Sequence, residues 1–277
     1  MWFKRDEPNL LLSETFKLAG GSVIGRDHRK AGRNNQDAYA WGSSGDVIVA
    51  AVSDGCGSSP HSEVGAWITA RLIVEFVVNR IQRFAVDDMN RAIADPTFWE
   101  KIRQDMLAQL RVLANAMGTS LTQMVTDYFL ATIVGFVITP KATVVFSHGD
   151  GIYMVNGMIS PINPLTGNAP LYLAYGLTGT DLPVELKFTL HGVVDTSTIG
   201  TLLIGTDGVT ELFEVSDRML PGRREPVGDI VQFYDDHYFA NPFAISRRLN
   251  IINGLFVPEP GLLHDDSTLI VARRKKE

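Results

Sequence analysis

Four aspartates, spread over most of the chain, constrain its fold more than any other feature of the sequence. They are Asp37, Asp54, Asp207 and Asp265. Asp54 and Asp207 each end a short apolar run and precede a glycine, a pattern that predicts a carboxylate at the end of a strand. The glycine lets backbone or ligand approach closely. A fold that gathers these carboxylates would form an all-oxygen site of the kind that magnesium and manganese prefer.

Each of these motifs alone is weak evidence, because Asp-Gly is among the commonest turn dipeptides. The segments around Asp37 and Asp265 would equally suit a polar loop and the exposed start of a strand. The order of the motifs carries more information. A strand and Asp-Gly are followed by long helices, strands joined by short turns, a second strand with Asp-Gly, and a pair of aspartates before the last strand.

The apolar pattern predicts an α+β fold. Runs rich in β-branched residues predict strands, and apolar residues at helical spacing predict helices. Asn156-Gly157 predicts a two-residue hairpin, and strands joined by such turns pair antiparallel. The predicted strands are 16–24, 46–53, 129–138, 143–147, 152–155, 185–190, 201–205 and 268–273, and the predicted helices are 62–84, 97–117, 227–234 and 242–253. No linker or repeat is visible, so we expect one domain over residues 1–277.

Two segments carry expectations about packing. The apolar residues of helix 62–84 approximate helical spacing, and we expect this stripe to face the core, as we do for the stripe of helix 97–117. The first stripe consists of Val64, Trp67, Ile68, Leu72, Phe76 and Ile81, and the second of Phe98, Ile102, Met106, Leu110 and Leu113. Segment 160–179 is rich in proline, glycine and asparagine, which predicts an irregular loop.

Composition excludes several classes of function. The net charge of −6 argues against a general nucleic-acid-binding protein, which would carry a basic surface. No apolar segment approaches the roughly 20 residues that span a bilayer, and the charged N-terminus lacks the apolar core of a signal peptide. The single cysteine cannot form an internal disulfide, which is typical of a reducing compartment. We expect a soluble cytoplasmic protein without a membrane or nucleic-acid partner.

Read in order, the motifs of this chain resemble those of the metal-dependent protein phosphatases of the PP2C (PPM) family, particularly the divergent bacterial branch. The resemblance extends from about residue 21 to residue 271. The motifs that carry it are Gly25-Arg26-Asp27-His28 with Asn35-Gln36-Asp37-Ala38, Asp54-Gly55-Cys56-Gly57-Ser58-Ser59, Ala131-Thr132, Gly149-Asp150-Gly151, Gly205-Thr206-Asp207-Gly208-Val209-Thr210-Glu211 and Asp265-Asp266-Ser267-Thr268-Leu269.

The resemblance implies an α-β-β-α sandwich of two antiparallel sheets flanked by helices, with two manganese or magnesium ions at one end. It implies that Asp54 bridges the two ions, with the Gly55 carbonyl on the second and with Asp207 and Asp265 on the first. Asp127, five residues before Thr132, stands where the family often binds a third, weaker metal.

The resemblance also implies roles around the metals. Gln36, Asp37 and Glu211 would orient metal-bound waters. In such a site two ions about 3.5–4 Å apart lower the pKa of a bridging water, and the hydroxide attacks phosphorus directly, without a protein nucleophile. The substrate would be phosphoserine or phosphothreonine on a protein, set there by an opposing kinase. Segment 160–179 falls where relatives carry a flap, and we predict that it shapes substrate choice.

Two departures from the family pattern affect this reading. The family usually has a histidine after the first Asp-Gly, a candidate acid for the leaving alcohol, and Cys56 stands there instead. His28, His61, His264 or a metal-bound water would have to replace it. The arginine that many relatives use for phosphate is also displaced, so Arg33, Arg26 and His28 are the candidates for that contact, with Arg33 first.

A second hypothesis follows from these departures. The chain would then be a non-catalytic module of the same fold that binds a phosphorylated partner. The retained carboxylates favour the enzyme, because such groups repel one another unless a metal is bound.

Overall fold

Two five-stranded antiparallel sheets form the centre of this computed structural model, which describes residues 12–163, 170–179, 186–255 and 257–275, without the side chain of Ser13. The strands are β1 Phe16–Val23, β2 Asp37–Ser44, β3 Val47–Asp54, β4 Ile133–Ile138, β5 Ala142–His148, β6 Gly151–Val155, β7 Met158–Ile162, β8 Thr189–Asp195, β9 Thr201–Gly205 and β10 Ser267–Arg274. One sheet has the order β1-β10-β9-β6-β7 and the other the order β2-β3-β4-β5-β8.

Helices cover the outer faces of both sheets. They are α1 Leu12–Thr15, α2 Arg26–Lys30, α3 Ser62–Ile81, α4 Val86–Ala92, α5 Pro96–Met117, α6 Leu121–Met124, α7 Glu211–Glu214, α8 Asp236–Ala240 and α9 Ala244–Ile252. Helices α3, α4 and α5 pack on the β2–β8 sheet, and α8 and α9 pack on the other. The predicted α+β sandwich is therefore confirmed.

The central strands are apolar on both faces because each separates two cores. In β3 the odd-numbered residues from Val47 to Ala51 face the helices, and the even-numbered residues from Ile48 to Val52 face the other sheet. Strands β4 and β10 alternate in the same way. Side chains of successive strand residues point to opposite faces, so a continuous apolar run is what a strand in the middle of such layers requires.

The expected orientation of α3 is confirmed only in part. Ile68, Leu72 and Phe76 are half-buried against the core and Ile81 is buried, but Val64 and Trp67 are exposed. The fully buried face is formed by Ser62, Gly65, Ala66, Thr69, Ala70, Ile73, Val74, Val77 and Ile81. A Cβ added at Gly65 would lie 1.9 Å from the carbonyl oxygen of Tyr128. The helix thus packs too closely on its neighbours for large side chains. The stripe of α5 does face the core, apart from half-buried Leu113.

Several elements differ from the sequence pattern. Strand β2 is missed because its residues, from Asp37 to Ser44, include no β-branched side chain. A π-helical turn, Val125–Phe129, occupies the start of the strand predicted at 129, and a 3₁₀ turn, Ile230–Tyr234, replaces a predicted helix. The hairpin is confirmed: Asn156 and Gly157 both have positive φ between β6 and β7. Residues 164–169 of the predicted loop lie outside the described residues.

The register of both sheets brings the sequence motifs to one end of the sandwich. Asp37 at the start of β2 is paired with Asp54 at the end of β3. In the facing sheet, β9 ends at Gly205, directly opposite Leu269 of β10. Among the described residues, the helices are too short or too polar to cross a membrane.

The core between the sheets gives a test of this layering. Phe136 of β4 is fully buried there, so Phe136→Ala should lower the free energy of unfolding by about 3–5 kcal/mol. Phe243, which is 72% exposed, is the matched control, and Phe243→Ala should change stability by about 0.5 kcal/mol or less. Urea unfolding measures both. Equal effects would contradict the assigned layers.

Candidate metal and phosphate site

The four aspartates lie together at the end of the sandwich. Asp37 and Asp54 come from adjacent strands of one sheet, while Asp207 follows β9 and Asp265 precedes β10 in the other. Burial, and then the charges of Asp37, Asp207 and Asp265, raise the pKa of Asp54 well above its ordinary value. Such mutual shifts are typical of crowded carboxylates, which bound cations or protons stabilise.

Asp37 and Asp207 also have raised pKa values. Burial and the charge of Asp266 raise the pKa of Asp37 well above its ordinary value. The Thr206 hydroxyl donates to Asp37 Oδ2 at 2.7 Å, but the buried Oδ1 has no hydrogen-bond partner among the described residues. Burial and the charges of Asp265 and Asp150 raise the pKa of Asp207 to about 6, although Asp207 still reaches solvent.

The glycines of both Asp-Gly steps are required by the close approach of other backbone. A Cβ at Gly55 would lie 2.7 Å from the carbonyl oxygen of Gln36, and one at Gly208 would lie 2.0 Å from that of Asp266. Both distances are too short for a side chain. Gly55 therefore lets the backbone of Gln36 lie next to the Asp54-Gly55 step, and Gly208 lets the backbone of Asp266 lie next to the Asp207-Gly208 step.

Asp266, which the sequence pattern does not single out, fixes the opening motif to the closing one. Its buried carboxylate accepts hydrogen bonds from the backbone N–H groups of Gly25, at 2.6 Å, and Gln36, at 2.5 Å. His28 Nδ1 lies 3.0 Å from Asp266 Oδ2 and 3.8 Å from Asp265 Oδ1. One side chain thus holds the start and the end of the segment that carries the candidate phosphate ligands.

The residues expected to orient water contact the backbone around the aspartates. Gln36 is buried, its amide donates to the Ser59 carbonyl, and its Oε1 has no partner among the described residues. Glu211 Oε2 accepts a hydrogen bond from the His264 N–H at 2.5 Å, and burial raises the pKa of Glu211. Both lie beside the aspartates that the sequence motifs select.

Asp127 occupies a different setting. It lies in the π-helical turn before β4, and its backbone carbonyl accepts a hydrogen bond from His61 N at the start of α3. Its role as a ligand of a third metal stays a prediction.

The three candidate phosphate ligands have separate environments. Arg33 is exposed and its guanidinium donates to the Gly57 carbonyl, in the loop that follows Asp54. His28 lies against Asp266, and its Nε2 faces Gly57. Arg26 instead contacts the His264 ring and Asp27, away from that loop.

Cys56 has a neighbour that the sequence does not suggest. Burial raises the pKa of the thiol, but hydrogen bonds from Ser58 and Tyr172 outweigh it, so that the pKa of Cys56 is lowered. Its Sγ lies 3.1 Å from Ser58 Oγ. Burial, and then the contact with Cys56, raise the pKa of Tyr172, which therefore stays a neutral phenol beside the aspartates. Tyr172 lies in the segment predicted as an irregular loop.

Asp150 is a further acidic residue of the site. It joins β5 to β6 between Gly149 and Gly151, which both have positive φ, so the chain turns sharply from one sheet to the other. Burial raises the pKa of Asp150, and its charge contributes to the raised pKa of Asp207. The Gly-Asp-Gly sequence signals the turn but not the proximity of its carboxylate to the others.

These donors fit hard divalent cations. They are carboxylate oxygens from several segments, they raise one another's pKa, and one of them, Asp37 Oδ1, is buried without a partner among the described residues. The ligand atoms of His28, Asp265 and Asp266 also lie close enough together to hold a common ion. The Asp266 carboxylate accepts two backbone hydrogen bonds and keeps further lone pairs that could contact a cation.

The role of Asp266 can be tested by stability. Asp266→Asn places an amide donor against one of the two backbone donors, so we expect a loss of about 2–3 kcal/mol in urea unfolding, and a larger loss for Asp266→Ala. The neighbouring Asp265 has a side chain that is 53% exposed, and Asp265→Asn should change stability little. Equal losses at both positions would contradict this role.

The raised pKa of Asp207 predicts a pH effect on the metal-free protein. A carboxyl whose pKa is higher in the folded state favours unfolding above its unfolded pKa of about 3.9. For Asp207 this decrease in the free energy of unfolding grows as the pH rises and reaches its full value above a pH of about 6. Without metal, the Tm of Asp207→Asn relative to wild type should therefore increase between pH 5 and 7.5.

The control for this measurement is Asp217→Asn, an identical change at an exposed aspartate. Its Tm difference from wild type should not vary with pH. Added manganese should reverse the order, because it stabilises the wild type and not Asp207→Asn. A pH-independent difference for Asp207→Asn would contradict the crowding of charge at this site.

Comparison with known structures supports the fold. A bacterial serine phosphatase carrying an arginine-to-glutamate substitution superimposes with a TM-score of 0.54 at 14% identity, over 94% of this chain and 99% of that one. Serine/threonine phosphatase Stp1 from Staphylococcus aureus gives a TM-score of 0.51 at 14% identity, over 98% of this chain and 100% of that one. At such identities the likeness shows the fold alone.

Comparison at the level of sequence gives the family. A search of curated proteins finds no significant match. The profile of the Protein phosphatase 2C family, in contrast, matches residues 24–234, which is most of the chain and includes Asp37, Asp54 and Asp207. The matched region, the sandwich and the acidic end of its strands agree. The chain belongs to the protein phosphatase 2C family.

Proposed function

We propose that this chain is a metal-dependent serine/threonine protein phosphatase that hydrolyses phosphomonoesters on proteins. The observation that carries the proposal is the convergence of Asp37, Asp54 and Asp207, each with a raised pKa, at the end of a protein phosphatase 2C sandwich. Carboxylates crowded in this way destabilise a fold unless cations neutralise their charges. A metal-dependent hydrolase would use such carboxylates to bind its metal ions.

In this proposal the metal ligands are those that the sequence motifs suggest. Asp54 and the Gly55 carbonyl, with Asp207 and Asp265, would hold two magnesium or manganese ions, and Asp127 would serve a third. When bound, the ions would supply Lewis-acid catalysis, by activating water and by stabilising negative charge on the phosphoryl group. Gln36, Asp37 and Glu211 would orient water molecules at the site.

The chain's own cations and acids would bind the substrate and manage its protons. Arg33 is exposed above the loop that follows Asp54, so its guanidinium can pair with a phosphate there. His28 would offer a second contact from the same side, and Arg26 would orient the closing loop through His264. Cys56 stands where the family usually has histidine, and the neutral Tyr172 phenol beside it would serve as a hydrogen-bond donor there.

The proposal treats residues 1–277 as one phosphatase domain that acts in the cytoplasm against a serine/threonine kinase. The alternative, a module that binds a phosphorylated partner without hydrolysis, rests on Cys56 in place of the histidine. The two functions differ in turnover but share the requirement for a phosphorylated ligand.

Hydrolysis of a phosphothreonine peptide tests the proposal. With manganese or magnesium we expect turnover that chelator abolishes and that Asp207→Asn lowers by about 10²–10³-fold, since the change removes a charge from the metal site. Asp217→Asn, an exposed aspartate, should retain wild-type turnover. Metal binding with no turnover of any phosphopeptide would favour the binding module, and neither metal binding nor turnover would contradict the proposed enzyme.

A further inference from the structure

The first half of α3 exposes an apolar stripe beside the acidic site. Val64 and Trp67 are 36% and 55% exposed, with half-buried Ile68 next to them. Their spacing places all three on one side of the helix. Arg71, one turn further on, lies over the Trp67 ring at 4.1 Å from its centroid. Exposed apolar surface of this kind marks a site of contact with another molecule.

This stripe forms one wall of a shallow groove of about 470 Å³. Asn35 and Asp37 also line it, as does Glu63, which accepts a hydrogen bond from Asn34. We call it the α3 groove, and its lining residues are Asn35, Asp37, Glu63, Val64, Trp67 and Ile68. The groove lies beside the candidate active site, because Asp37 lines it and because α3 begins at Ser62, which a Cβ on Gly55 would touch.

We propose that the α3 groove binds the segment of the phosphoprotein substrate that flanks the phosphorylated residue. Trp67 takes an apolar side chain of that segment, and Arg71 takes an acidic group. The inference rests on the proposed function, and it adds a determinant of substrate choice that lies outside the metal site.

The residue types on this wall suit such a contact. Tryptophan and arginine are the side chains that most often dominate the binding energy of protein interfaces. The Arg71 guanidinium is held on the ring face, and no ion pair of its own is found in the described part of the chain. The charged residues that line the groove, Asp37 and Glu63, are both acidic, so Arg71 next to Trp67 is the side chain that can pair with an acidic group of the ligand.

The reach of an extended peptide also fits. A strand-like chain advances about 3.3 Å per residue, so residues two or three positions from the phosphorylated one lie roughly 7–10 Å away. We expect side chains at these positions to contact the groove, which Asp37 of the carboxylate cluster lines. A segment that binds there places its phosphate toward the carboxylate cluster and its apolar side chain against α3.

Two phosphothreonine peptides test the proposal. One has leucine at the second and third positions on either side of the phosphothreonine, and the other has serine at those positions. We expect the wild type to favour the leucine peptide about tenfold in kcat/KM, mainly through KM. Trp67→Ala should remove that preference, and Arg71→Ala should weaken binding of an otherwise identical peptide that carries a flanking glutamate.

Three controls keep the outcome specific. Hydrolysis of p-nitrophenyl phosphate, which is too small to reach the α3 groove, should be unchanged in Trp67→Ala. Phe243→Ala, at an even more exposed aromatic residue next to the helix that covers the other sheet, should keep the leucine preference. A Trp67→Phe variant should restore part of it, because an aromatic surface remains. An unchanged preference in Trp67→Ala would overturn the proposal.

The test separates this proposal from the proposed function. If the wild type hydrolyses neither p-nitrophenyl phosphate nor the phosphothreonine peptides, the phosphatase proposal fails, and fluorescence polarisation of the labelled leucine peptide then decides on the groove. Weaker binding to Trp67→Ala than to Phe243→Ala would support the groove. Equal binding, or a dimer in size-exclusion chromatography that Trp67→Ala dissociates without any effect on the peptide, would contradict it.

Discussion

Repulsion between carboxylates at the end of the sandwich is the interaction on which the functional part of this structure depends. Asp37, Asp54 and Asp207 each have a raised pKa because burial and their neighbours' charges act together. A fold accepts this cost only if other interactions outweigh it. Here the apolar layers on both faces of the central strands supply that stabilisation, since they fix the strands whose ends carry the charges.

Polar contacts then set the position of each charged group. The Thr206 hydroxyl links the end of β9 to Asp37 of the facing sheet. Asp266 ties the closing motif to two backbone groups of the opening motif, more than two hundred residues earlier in the chain. The site therefore exists only when both sheets have assembled. Metal binding would stabilise this folded state, by an amount that increases with the metal concentration relative to its Kd.

The main features of the fold could be predicted from sequence because they follow from local patterns. Apolar runs give the central strands, and Asp-Gly at their ends gives Asp54 and Asp207. Asp150, Asp266 and Tyr172 could not be found in this way, since their importance arises from contacts across the two sheets and the loop before β8. Nothing in an isolated Asp-Asp pair or a single tyrosine indicates such a neighbour.

The orientation of α3 shows a different limit. Apolar residues at helical spacing predict a stripe, but they do not tell which of two stripes faces the core. At α3 the small residues Gly65, Ala66 and Ala70 face inward because the helix packs closely on its neighbours, and Trp67 is left exposed. The Trp67 side chain is therefore free to contact another molecule.

Anomalous X-ray diffraction from crystals grown with manganese tests the central claim most directly. The account predicts two manganese peaks at the end of the sandwich, joined by the Asp54 carboxylate, with Asp207 and Asp265 on one of the ions. No manganese at Asp54, or a single ion held by His28, Asp265 and Asp266, would contradict it.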